Sequence, residues 1–192
     1  MRSQLAQYNP GDYTPGVSLI KQLLWYYVGS PLFMSYLVPV SEPKAKLLRL
    51  FGASVGTGVR IKQGVRIKFP WRLTVGDDCW LGEGAWIDNL APVTLGDNVC
   101  LSQEVYLCTG NHNWSKPSFD LILGEIKIEQ SAWIGARGVV GPGVTVGEGA
   151  VLTLNSVANK PLQAWTVCVG NPAVAVKQRK IKEQPKEQLE ES

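Results

Sequence analysis

Residues 73–107, LTVGDDCWLGEGAWIDNLAPVTLGDNVCLSQEVYL, set an aliphatic side chain at a six-residue step: Val75, Leu81, Ile87, then Leu95, Leu101, Leu107. The same step runs upstream through Val55, Ile61 and Ile67, and downstream through Ile128, Ile134, Val140, Val146 and Leu152. Glycine follows many of these, as at Gly56, Gly76, Gly82, Gly96, Gly135, Gly141 and Gly147. Two positions earlier stands a small or β-branched residue, for example Ala53, Val65, Cys79, Ala85, Ala132 and Ala150. This is the hexapeptide-repeat signature of a parallel β-helix, an all-β solenoid. Sandwich strands lie in hairpins of irregular spacing and do not yield a fixed six-residue step. Coils stacked about 4.8 Å apart leave room only for small or β-branched side chains at the corners. The glycines read as turn residues with positive φ.

The period has a defect and an interruption. Val55 to Val75 to Leu95 advances twenty residues per coil rather than eighteen, which puts two extra residues at one corner, near Leu73-Thr74 and Val93-Thr94. The repeat then stops across 110–125, GNHNWSKPSFDLILGE, a segment that holds the only histidine, His112. The segment is polar, aromatic and too long for a tight corner, so it is expected to project as a loop. Long loops in compact domains are commonly functional.

Three regions follow. Residues 1–51 read as an irregular arm (1–16) and two short helices, Val17 to Val28 and Pro43 to Phe51. They would cap the first coil, whose backbone groups otherwise lack partners. Residues 52–176 are the solenoid, and 177–192 a charged tail. Within the cap, Gln22 to Ser41 carries no charge and is rich in aromatic and aliphatic residues. Its length approaches that of a membrane span. Gly29, Ser30, Pro31 and Pro39 interrupt it, which points to membrane-surface contact or subunit packing instead.

At 192 residues, 45% hydrophobic and 18% charged, the chain suits one globular domain. The net charge is +3, with basic residues outside the repeat columns, so nucleic acid is not an expected partner. Four cysteines without a CxxC pair, beside one histidine, exclude zinc-finger spacing and a three-histidine zinc hydratase. Free thiols and the absence of a secretory pattern suit the cytoplasm, with the inner membrane face as a working site.

Several phrases together resemble the hexapeptide-repeat acyltransferases, in the sugar O-acetyltransferase branch and the colanic-acid-biosynthesis type. They are FPWRLTVGDDCWLGEGAWIDNLAPVTLGDNVCLSQEVYLCTGNH (69–112), SFDL (118–121), AWIGARGVVGPGVTVGEGAV (132–151) and AWTVCVGNPA (164–173). The resemblance spans roughly 47–177, and LWYY and LLRLFG upstream fit it. It implies a left-handed parallel β-helix, a homotrimer, acetyl-CoA as co-substrate and no metal.

Transfer of an acetyl group from a thioester to a hydroxyl needs a base, because a free alcohol is a weak nucleophile; histidine, with its near-neutral pKa, suits the role. His112, closing the phrase Thr109-Gly110-Asn111-His112, matches the family's base. Asp120 stands near the family's carboxylate that orients the imidazole. On the donor side the resemblance assigns Trp133 to the pantetheine arm, Ala136 and Leu154 to backbone contacts with CoA, and Asn159-Lys160 to a Thr-Lys pair that meets phosphate. Lys177 and Arg179 follow GNPA where the family places basic residues for the nucleotide phosphates. The family sets this groove between neighbouring subunits.

The acceptor side departs from the simple sugar enzymes. Their Asn near Gly82 is missing, and their Asp aligns near Leu90. Glu83, Asp88 and Asn89 are the nearby polar candidates, and Trp86, Trp114 and Phe119 could stack on a sugar face. The expected function is acetyl transfer to a sugar hydroxyl in exopolysaccharide or surface-glycan synthesis. Acetylation of an amine or antibiotic, and a non-catalytic solenoid scaffold, remain open alternatives.

Overall fold

Each aliphatic column of the sequence is the inner row of a parallel sheet in the computed structural model, which describes residues 2–182. The first coil is β1 (Ser54–Val55), β2 (Arg60–Ile61) and β3 (Arg66–Ile67). The second is β4 (Leu73–Val75), β5 (Trp80–Leu81) and β6 (Trp86–Asp88), and the third is β7 (Val93–Leu95), β8 (Cys100–Leu101) and β9 (Tyr106–Cys108). After the interruption come β12 (Ile126–Ile128), β13 (Trp133–Ile134) and β14 (Val139–Val140). The fifth coil is β15 (Thr145–Val146), β16 (Val151–Leu152) and β17 (Val157–Ala158). Strands stack in parallel into three faces: β1-β4-β7-β12-β15, then β2-β5-β8-β13-β16 with β18 (Thr166–Gly170), then β3-β6-β9-β14-β17. β19 (Ala173–Gln178) turns back antiparallel on β18 and closes the second face.

The register explains the columns. Val55 sits opposite Val75, Leu81 opposite Leu101, and Ile134 opposite Leu152. Ile61, Leu81, Leu101, Ile134 and Leu152 are all buried, so one continuous hydrophobic rod runs along the axis. Cys79 belongs to the small-residue column and is buried; its thiol is pushed up to about 11 by desolvation, which leaves it an inert packing group.

The glycines after the aliphatic residues serve a different purpose from the one expected. Gly76 has no positive φ; a Cβ there would lie 2.7 Å from the Asp97 amide nitrogen of the next coil. Close approach of the neighbouring coil therefore excludes a side chain. The left-handed turn positions are taken by other glycines, Gly58, Gly64, Gly84, Gly143 and Gly149, and in further coils by Asp78, Asn98, Ser131 and Asn155 among others. Asx side chains tolerate that region by local hydrogen bonding.

The extra residues of the early coils and the interruption fall at a single corner, between the third and first faces. Asn89 is buried there and grips the Phe69 backbone twice, accepting from its N–H (2.9 Å) and donating to its carbonyl (2.7 Å). Thr109, one coil on, is also buried; its hydroxyl donates to the Asp88 carbonyl and accepts from the Ala91 N–H. The corner is thus tied from coil to coil. From it projects an ordered antiparallel hairpin, β10 (Gly110–His112) and β11 (Leu121–Leu123), where only an irregular loop was expected.

The cap also differs from expectation in length. α1 (Leu19–Leu24) does not end at Val28 but continues through a wider π-type turn, Trp25–Gly29, into α2 (Ser30–Met34); α3 spans Ser41–Leu50. Trp25, Phe33, Ala45 and Leu48 cover the first coil. The Trp25 indole N–H donates to the Ile67 carbonyl, and the buried Lys44 ammonium to the Lys62 carbonyl, so exposed strand-end groups find partners. At the other end, β19 takes in Lys177, so the tail begins later than expected; residues 183–192 of it lie outside the described residues.

Candidate active site

His112 ends β10 where the strand enters the 113–120 turn, half-buried. Its Nδ1 lies 3.0 Å from the carbonyl oxygen of Phe119. A carbonyl can only accept, so Nδ1 carries the proton and donates, and Nε2 of the neutral ring is left as the basic nitrogen. The imidazole also stacks on the Phe119 ring, with centroids 4.3 Å apart and planes 8° apart. Phe119 therefore holds the histidine in two ways. Its own backbone is unusual, with φ of +50°, a region that bulky residues avoid. Such strain persists only where surrounding structure enforces it, and it clusters at functional sites.

Asp120 does not orient the imidazole. Its carboxylate lies 2.9 Å from the Lys116 ammonium, and its backbone carbonyl accepts the Asn113 N–H. Hydrogen bonds from Lys116 and Ser118 hold this carboxyl below the usual aspartate range. Both groups fix the hairpin turn that carries Phe119, so the expected carboxylate partner is replaced by a backbone carbonyl.

The N-terminal arm supplies a neighbour that no local sequence signal marks. The Gln4 N–H donates to the Pro117 carbonyl and the Leu121 N–H to the Asn9 carbonyl, so the arm lies along the hairpin. This brings the Tyr8 ring to 5.7 Å from His112, tilted by 59°.

The remaining acceptor candidates divide. Asn89 is buried in its corner and is a structural residue, not a ligand for substrate. The Asp88 carboxylate pairs with Lys68 at 2.9 Å and receives the Tyr106 hydroxyl. Trp86 stacks on Tyr106 with Arg66 over its other neighbourhood, an aromatic ladder on the third face. Phe119 is occupied by the histidine. Trp114 projects from the hairpin with 78% of its surface exposed, and Glu83 is exposed, taking the Tyr36 hydroxyl.

The donor-side residues lie elsewhere on the chain. Trp133 stands on the second face, its indole N–H held by the Ser102 hydroxyl at 2.9 Å. It borders a cleft of about 500 Å³ with Trp80, Glu83, Cys100 and Arg60, and the Arg60 guanidinium lies over the Trp80 ring. Ala136 and Leu154 take one turn position in successive coils and line the adjoining hollow. Asn159, Lys160 and Lys177 are exposed, and neither lysine forms an ion pair among the described residues. Arg179 is committed instead: its guanidinium donates to the Ser131 and Gly149 carbonyls, which fastens the strand after GNPA across two coils. Among the described residues no three His, Cys, Asp or Glu side chains converge as metal ligands would. One chain therefore sets His112 at the corner between the third and first faces, and Trp133 on the second.

The family model described as "Hexapeptide repeat of succinyl-transferase" matches residues 72–107 and 125–157, on either side of the hairpin. WcaF of Escherichia coli strain K12, a protein named as a colanic acid biosynthesis acetyltransferase, is 38% identical over 164 residues, covering 85% of this chain and 90% of its own. The crystal structure of a maltose O-acetyltransferase from Clostridium difficile 630 superposes with a TM-score of 0.76 at 26% identity, covering 85% of this chain and 89% of that one. A hexapeptide-repeat acetyltransferase of Vibrio cholerae O1 biovar eltor, solved with acetyl coenzyme A, shares the fold (TM-score 0.78, 21% identity, 91% and 97% covered). The repeat match and the 38% identity to WcaF over 85% of the chain agree: the chain belongs to the hexapeptide-repeat acetyltransferase family.

Proposed function

We propose that this protein transfers the acetyl group of acetyl-CoA to a sugar hydroxyl, in the building of an exopolysaccharide or surface glycan on the cytoplasmic side of the membrane. The observation that carries the reading is the His112 hydrogen bond to the Phe119 carbonyl, which leaves Nε2 as the free basic nitrogen. His112 takes the hydroxyl proton as the oxygen attacks the thioester carbonyl. The carbon–sulfur bond breaks, and the proton returns to the departing thiolate. The sugar acceptor rests on the likeness to WcaF and to the maltose O-acetyltransferase.

The donor residues fit a CoA thioester. Trp133 and Trp80 offer apolar walls for a pantetheine arm, Ala136 and Leu154 lie beside it, and Asn159, Lys160 and Lys177 offer polar and cationic groups for phosphates. A single chain places these away from His112, so the reading includes a homotrimer in which the hairpin of one copy meets the second face of the next. Tyr8 and Trp114 are the acceptor-side groups placed to meet a sugar, and Glu83, which takes the Tyr36 hydroxyl beside the Trp133 cleft, keeps one carboxylate oxygen for it.

The test is acetyl-CoA-dependent thiol release against a panel of sugars and glycan extracts, with wild type beside His112→Ala. The reading expects release that depends on one class of hydroxyl acceptor and falls by about 10²-fold or more in the variant. Equal rates in the two proteins would remove His112 from the chemistry. Transfer to amines alone would replace the sugar acceptor.

A further inference from the structure

We propose that the cap is a docking surface for an anionic phospholipid membrane. The helix running from α1 to α2 buries only a narrow stripe, Trp25, Gly29 and Phe33, against the first coil. The rest of it faces outward and is apolar. Leu19, Ile20, Leu23, Tyr27, Leu32 and Leu37 are all exposed, Tyr27 by 70% and Leu37 by 92%. From Tyr13 to Ser41 the chain has no acidic residue and a single cation, Lys21. Exposed contiguous apolar surface of this kind marks an interaction site.

Charge identifies the occupant. Of the 19 Lys and Arg, nine lie between Tyr13 and Gly76, and of the 16 Asp and Glu only Glu42 does. Arg60, Lys62 and Arg66 belong to the first coil, on which the cap packs; Lys68 beside them is paired with Asp88, and Asp77 of the second coil reaches Thr57. An apolar ridge flanked by cations complements a negatively charged lipid surface, to which juxtaposed Lys and Arg are attracted. Two-fold pairing of this end with itself would oppose two cationic fields. The exposed Tyr26, Tyr27 and Tyr36 have the amphipathic character favoured at headgroup depth. No helix among the described residues is long and apolar enough to cross a membrane, so the ridge would lie on the surface. Docking is independent of the acetyl-transfer reading, and it would hold the active site beside membrane-bound acceptors.

The experiment is flotation of the full chain with phosphatidylcholine vesicles, with and without about one-third phosphatidylglycerol, at low and high salt. The mass of each protein is followed by ultracentrifugation. Wild type should bind anionic vesicles at least about tenfold better than neutral ones, and high salt should weaken that binding. The triple variant Leu23→Ser, Tyr27→Ser, Leu37→Ser should lose about tenfold in binding while keeping its assembly mass and its acetyl transfer to a soluble acceptor. Should that variant fail to fold, Lys21→Gln with Lys46→Gln should still weaken binding to anionic vesicles alone. Absence of wild-type binding to anionic vesicles would overturn the proposal. So would a triple variant that floats as well as wild type, or one that changes assembly mass without losing flotation; the latter would make the ridge a contact between copies.

Discussion

At the scale of single residues, the histidine is positioned by main chain rather than by a carboxylate. Asp120→Asn should therefore leave kcat within about threefold, because the Phe119 carbonyl persists and the lost Lys116 pair is an exposed one. His112→Ala should cost about 10²-fold or more. The pair of variants, assayed side by side, separates a backbone-held base from a carboxylate-held one. His112 stood out in sequence as a candidate because it is the sole histidine and sits where the repeat breaks. Its true partner did not, since a backbone carbonyl leaves no trace in residue identity. Asp120 drew attention for its chemistry alone; whether a side chain reaches the ring depends on the turn, which here aims the carboxylate at Lys116. Asn89 and Arg179 misled in the same way. Both are polar types that suggest a ligand, and both are spent on backbone carbonyls and amides that only the stacked coils bring near.

At the scale of elements, coil-to-coil contact sets the sequence rules. Leu101, fully enclosed between Leu81 and Ile134, should cost about 2–5 kcal/mol as Leu101→Ala, measured by denaturant unfolding. Gly76→Ala should destabilise despite adding only a methyl group, since a Cβ would press on the Asp97 amide, whereas a φ-driven rule predicts no cost at this position. The corner aspartates add a pH dependence. Asp77 accepts from the Thr57 N–H and hydroxyl, which lowers its carboxyl below the usual value. Its folded-state pKa is depressed, so its contribution is complete above the ordinary aspartate value of about 3.9 and is lost as pH falls below it. Thermal melts below about pH 3.9 should show a smaller acid loss in Asp77→Asn than in wild type. The six-residue step was readable because coil geometry imposes it on every turn. The hairpin was not, because the pairing of Asn111 with Ile122 is antiparallel and unique, with no period to betray it.

At the scale of the whole molecule, the proposed site falls in two places on one chain. The hairpin carries His112, the proposed base, at one corner, and the second face carries the tryptophan-lined cleft. The proposed trimer would bring the two together across each interface, and the proposed membrane contact requires that it leave the cap uncovered. The most direct test of this account is complementation. His112→Ala and Trp133→Ala chains carrying different tags would be co-expressed, and the mixed assemblies isolated through both tags. Each variant alone should be nearly inactive. The mixed assemblies should regain activity, since each mixed trimer has one interface of its three at which an intact hairpin meets an intact cleft. Mixed assemblies no more active than the single variants would contradict the shared site.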